Sequence, residues 1–135
     1  MKSPPNMARS PAWVHRLSGM PLEYGPTPKD LLEGQGYLKG AKVEASSELK
    51  STTALEVAAA FANLSNYGDR GMGGRCFFPG FAFSFGEDAQ KVEVLVCLEC
   101  NWVGFFWNGQ DLWLAPSENG LTQFRKIYNE LVERL

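Results

Sequence analysis

The chain has 135 residues, 44% of them hydrophobic and 13% aromatic, with 13 basic and 15 acidic side chains and a net charge of −2. That length supports one domain with its own hydrophobic core. Interspersed charges of both signs argue against a dedicated nucleic-acid binder, which would carry a basic face.

Residues 1–28 hold six of the eight prolines and show no hydrophobic period. Proline fixes φ and removes a backbone donor, so this stretch is expected to be an irregular arm, with residues 29–135 forming a single domain. Trp13, Val14 and Leu17 are its candidate anchors, and His15 is expected to be solvated there. The only apolar run near the start, Ala12-Trp13-Val14, is far shorter than the roughly 7–15 residues of a secretory core or the about 20 of a membrane span. A cytoplasmic protein without membrane contact is therefore expected.

Further along, "PKDLLEG" suggests one helical turn, and "GYLKGAKVEASS" alternates weakly, as an edge strand would. In "TTALEVAAAFANLSNYG", Thr53 and Glu56 have capping-box spacing and alanines favour a helix. Leu55, Ala58, Ala59 and Ala62 line one face and Val57, Phe61 and Leu64 an adjacent one, so that helix is expected to be largely buried. The glycine-rich "NYGDRGMGGR" follows a helix and precedes a strand, the reverse of a phosphate-binding loop, and reads as a connector.

From Cys76 onward the pattern is a β-meander. "FFPGFAFSF" and "KVEVLVCLE" alternate around "GEDAQ", and "WVGFFW" and "QDLWLA" flank Asn108-Gly109, the strongest short hairpin signal. Ser117 is placed to cap a C-terminal helix whose stripe is Leu121, Phe124, Ile127, Tyr128, Leu131 and Leu135. The expected fold is α+β: an antiparallel meander of four to five strands packed with the Ala-rich helix and the C-terminal amphipathic helix.

The Cys97-Leu98-Glu99-Cys100 stretch is the one motif with chemical promise. A turn at "EDAQ" pairs Phe85 with Val92, Phe83 with Val94 and Phe81 with Val96, giving an apolar core face. On a strand continued through Cys100, residues three apart point to opposite faces. That register predicts neither a disulfide nor a shared metal between Cys97 and Cys100, and a reducing compartment points the same way. Zinc wants four ligands, and beyond the three cysteines only His15 remains. No metal and no cofactor are expected. A bulge near Glu99-Cys100-Asn101 would instead bring Cys76, Cys97 and Cys100 together.

"RCFFPGFAFSF…KVEVLVCLEC" resembles a loose group of small uncharacterised bacterial proteins, in which a Cys-x-x-Pro or similar strand precedes a strand ending in Cys-x-x-Cys. The likeness covers residues 75–103. In that group a histidine often follows the proline, where this chain has Gly80-Phe81. The resemblance implies a bacterial protein and no particular activity.

The Asn108-Gly109 hairpin pairs Trp107 with Gln110, Phe105 with Leu112 and Val103 with Leu114, and sets Trp113 across from Gly104. Its second face then holds Trp102, Phe106 and Trp113, with Asp111 and Asn101 at the rim. Covered by a helix, that face is core. Left open, it is a binding patch. The leading functional expectation is a non-enzymatic binding protein using this aromatic face, as a homodimer or with a protein partner. The alternative is a small enzyme or small-ligand protein with a pocket at the glycine-rich loop, using Asp69, Arg70 and Arg75 and a reactive Cys76, Cys97 or Cys100.

Overall fold

The computed structural model describes residues 3–21, 36–68 and 79–135. Within them the strands are β1 (Ala12–Pro21), β2 (Tyr37–Leu38), β3 (Ala41–Glu48), β4 (Tyr67–Gly68), β5 (Phe81–Phe85), β6 (Val92–Cys97), β7 (Trp102–Trp107) and β8 (Gln110–Pro116). Two helices, α1 (Ser51–Ala62) and α2 (Glu118–Ile127), accompany them, and a π-helical turn over Tyr128–Val132 extends α2. The strands form one open antiparallel sheet in the order β2-β3-β1-β5-β6-β7-β8-β4. The α+β class and the four-strand meander β5–β8 are as the sequence predicts, but the sheet is wider, with eight strands among the described residues.

The hairpin registers follow the sequence. Phe81, Phe83 and Phe85 face Val96, Val94 and Val92, and Val103, Phe105 and Trp107 face Leu114, Leu112 and Gln110. Asn108 and Gly109 both have positive φ, 49° and 69°, as a two-residue hairpin turn requires. One face of these strands carries the core. Phe81, Phe83, Phe85, Val94, Val96, Val103 and Phe105 are at most 1% exposed, and Phe61 of α1 and Phe124 of α2 close over them. The last two rings stack with centroids 4.7 Å apart.

The proline-rich arm is a correction. Residues 12–21 are a strand in the interior of the sheet, paired with β3 on one side and β5 on the other. Ala12 and Val14 belong to the core, and Met7 before the strand is buried with them. The period went unseen because the core-side positions include Arg16, whose Nη1 donates to the Leu135 carbonyl at 2.7 Å. Likewise "GYLKGAKVEASS" is a hairpin, β2–β3, turning at Lys39-Gly40 with φ of 48° and 87°. β2 is the edge, and β3 has a neighbour on both sides.

The Ala-rich helix also differs. It begins at Ser51, with Lys50 as N-cap and no side-chain capping bond, so the Thr53/Glu56 box does not form. Its start is instead fixed by the sheet, because the Leu49 N–H donates to the Ala12 carbonyl at 2.8 Å. Only Val57, Ala58 and Phe61 of the helix are buried, while Leu55, Ala59 and Ala62 are exposed, as is Leu64 just beyond it. Ser117 does cap α2, its Oγ accepting from the Gly120 N–H at 3.1 Å. Val132, absent from the expected stripe, is buried too, carried inward by the π-helical turn.

No helix of the described residues is long and apolar enough to cross a membrane. The expected turn at "PKDLLEG" lies outside the described residues.

Candidate functional site

Alternation along each strand sends Trp13, His15 and Leu17, Ala82 and Ser84, Glu93 and Leu95, Gly104 and Phe106, and Trp113 to the face away from the helices. Among the described residues no helix covers that face. It is curved instead. The β1–β3 ladder shifts register between Arg16 and Leu17 and again between Leu17 and Pro21. Bulges bend a strand and increase its twist, and here they swing the β2–β3 hairpin over the sheet. Leu38 and Ala41 thereby pack with Leu17, Ala82 and Leu95, with Val43 and Phe106 at the edge of the cluster.

The curl delivers Lys39 to strands far away in the sheet order. Its Nζ lies 3.7 Å from Oε1 of Glu93 on β6 and 5.4 Å from the centre of the Phe106 ring on β7. Glu93 is only 5% exposed, and Lys91 stands on its other side, Nζ 3.8 Å from Oε2. A buried carboxylate needs such partners, since desolvation would otherwise neutralise it.

From this ion cluster an aromatic row runs across the sheet. Phe106 meets Trp113 edge-on at 5.5 Å, and Trp113 meets Trp102 edge-on at 6.3 Å. Trp113 lies over Gly104, where a Cβ would come within 2.9 Å of its ring, so the glycine makes room for the indole. Asp111 fixes the ring's direction by accepting from its Nε1 at 2.7 Å. Trp102 and Phe106 are half-buried and Trp113 is 37% exposed. The expected grouping of Trp102, Phe106, Trp113 and Asp111 is thus present. Asn101 directly precedes Trp102, in the β6–β7 turn with φ 61°.

Two hollows of about 560 Å³ each flank Lys91 and Asp88. One is lined by Lys39, Lys91, Glu93, Phe106, Trp107 and Asp111. The other lies over Trp13, His15, Ser46 and Ser84. His15 is therefore not solvated in an arm. Its Nδ1 is 2.7 Å from Ser46 Oγ and its Nε2 2.9 Å from Ser84 Oγ. Burial, and then the charge of Lys91, hold its pKa below the ordinary 6.5, so the ring is neutral at pH 7.

The cysteines contradict the sequence reading. β6 ends at Cys97, the chain turns through residues 98–101, and Cys97 is disulfide-bonded to Cys100 with Cα atoms 5.2 Å apart. The opposite-face argument assumed a strand running on to Cys100. The strand stops at Cys97, and Asn101 in the left-handed region, which asparagine tolerates well, closes the turn that leads into β7. Asp69, Arg70, Arg75 and Cys76 lie outside the described residues.

Sequence reasoning also passed over His15, Lys39, Ser84, Lys91 and Glu93 as a group. The Lys39-Gly40 turn was the available signal, since a two-residue loop with glycine second marks a hairpin. Compared with protein-family models, with curated proteins and with solved structures, the chain matches none.

Proposed function

We propose that this is a binding protein that holds a small organic ligand on the open sheet face. A flat apolar part lies against the row Phe106–Trp113–Trp102, and a polar part meets the cluster Lys39–Glu93–Lys91. The observation that carries this reading is the junction of the two: an aromatic row, on a face that no helix of the described residues covers, ends at a buried carboxylate bracketed by lysines. Convergent polar groups beside apolar lining in a hollow of 300–1,000 Å³ are the usual features of ligand sites; the hollow of about 560 Å³ at Lys39, Phe106 and Trp107 would take the polar part, and the row through Trp113 and Trp102 continues from it across the sheet.

The probe for this is 8-anilinonaphthalene-1-sulfonate, which combines flat rings with an anionic group. Saturable binding of one dye per folded chain is expected, with affinity at least tenfold weaker in Trp113→Ala. Dye binding indifferent to Trp113 and Phe106 would refute the assignment.

A second reading, self-association through the same hairpin, is favoured by the exposure of Trp113 and by the edge position of β8. Only Ala115 and Pro116 of β8 pair with β4, so its remaining length has one strand neighbour among the described residues. Light scattering at micromolar concentration separates the readings. A monomer supports the ligand site, whereas a dimer that Trp113→Arg converts to a folded monomer supports self-association.

A further inference from the structure

The Cys97–Cys100 bond closes a loop of the smallest useful size, with a sequence separation of three. As a structural cross-link it does little, because the chain entropy a disulfide removes grows with the loop it closes. The segment is also held without it. Cys97 is paired with Trp102 across the β6–β7 ladder, and the Asn101 N–H donates to the Leu98 carbonyl at 3.3 Å.

The two sulfurs differ in their surroundings. Cys97 is 4% exposed, whereas Cys100 is only half-buried, so of the two it is the residue nearer to solvent. The backbone N–H of Cys100 points at Cys97 Sγ from 3.1 Å. A donor so placed stabilises a thiolate far more than a thiol or a disulfide sulfur. One sulfur is thus open to attack, and the other is provided with a partner for the charge that attack releases.

We propose that Cys97–Cys100 is a thiol–disulfide exchange site that accepts two electrons from dithiol partners. A partner thiolate attacks Cys100 Sγ. A bond forms between these two sulfurs, the Cys97–Cys100 bond breaks, and its electron pair passes to Cys97 Sγ, where the Cys100 N–H receives the charge. The partner's second thiolate then attacks the partner sulfur of the mixed disulfide and expels the Cys100 thiolate. The partner leaves as a disulfide and the protein as a dithiol. The two protons given up by the partner's thiols are balanced by two taken from water at Cys97 and Cys100. The reverse sequence oxidises the protein against a disulfide partner. This site lies beyond the far end of the aromatic row from Glu93 and does not depend on ligand binding there.

The test uses the full chain carrying Cys76→Ser, so that only two cysteines remain, or the wild type with its alkylated cysteines located by peptide mapping. Treatment of the folded protein with dithiothreitol, then acid quenching and alkylation, is expected to yield two alkylated cysteines per chain with the circular dichroism unchanged. Oxidised glutathione is expected to restore the bond. Trapping should then be asymmetric: Cys97→Ser captures glutathione at Cys100 at least tenfold faster than Cys100→Ser captures it at Cys97. A bond that yields only when the chain unfolds, an air-oxidised protein without the bond, or equal capture at the two positions would overturn the proposal.

Discussion

The two faces of the sheet are built from the same strands and could hardly differ more. Toward the helices, Phe81, Phe83, Phe85 and Phe105 interlock with Phe61 and Phe124 at 1% exposure or less. On the opposite face the same strands present Ala82, Ser84, Glu93, Gly104 and Phe106, and among the described residues the cover there is a two-stranded hairpin rather than a helix. Alternation in a strand therefore divides labour residue by residue. One set of positions supplies the hydrophobic free energy of folding. The next set is free to carry charges, hydroxyls and half-exposed indoles. Substitutions on the two faces should then separate stability from binding.

The largest loss of stability is expected on the helix side. Phe124→Ala removes the ring stacked on Phe61 and should cost about 3–5 kcal/mol in urea denaturation. Gly120→Ala comes next, at about 1–3 kcal/mol. A Cβ there would run into the Asn66 carbonyl, which already accepts the Ser117 N–H at 2.9 Å and cannot easily move. That substitution tests whether α2 is seated by the close contact at Asn66, a residue whose Nδ2 also donates to the Ala60 carbonyl at 2.8 Å. A neutral result for either variant would mean that the helices contribute less to the core than their burial indicates.

On the open face the order reverses. Trp113→Ala gives up edge-on contacts with Phe106 and Trp102, about 1–2 kcal/mol of stability, yet it should abolish most dye binding. The smallest effect expected is that of pH at His15. Its pKa is lowered on folding, so the unfolded chain binds the proton more readily. Its stabilising contribution is complete above the unfolded value of about 6.5 and fades as pH falls through that value toward the folded pKa. The difference in melting temperature between wild type and His15→Gln should therefore be level above pH 6.5 and change only as pH falls below that value. A wild type that instead gains stability on acidification through this range would contradict the buried, neutral ring.

The helix-side face was legible in the sequence because each hairpin declares itself locally. Phenylalanines alternate in one strand, valines in the next, and Asn108-Gly109 fixes the register between β7 and β8 without reference to anything distant. The open face was legible only where it belongs to that same hairpin, as the group Trp102, Phe106 and Trp113. Its remaining members come together through long-range geometry. His15 reaches Ser84 because β1 inserts beside β5, and Lys39 reaches Glu93 because bulges in the β1–β3 ladder curl the sheet. Neither event has a period. Prolines at the ends of β1 concealed it further, and the disulfide hinged on β6 stopping at Cys97, before a turn over residues 98–101 that carries no glycine or proline to announce it.

The account rests above all on the aromatic row being an accessible site within one chain. Its most direct test is a two-dimensional NMR titration with 8-anilinonaphthalene-1-sulfonate, following the indole N–H signals of the four tryptophans. The signals of Trp102 and Trp113 should shift together and saturate at one dye per chain. Trp107 borders the Lys39–Phe106 hollow and does not discriminate, whereas Trp13, over the separate His15 hollow, should stay in place. Signals of Trp102 and Trp113 that stay in place, whether or not Trp13 shifts, would contradict it.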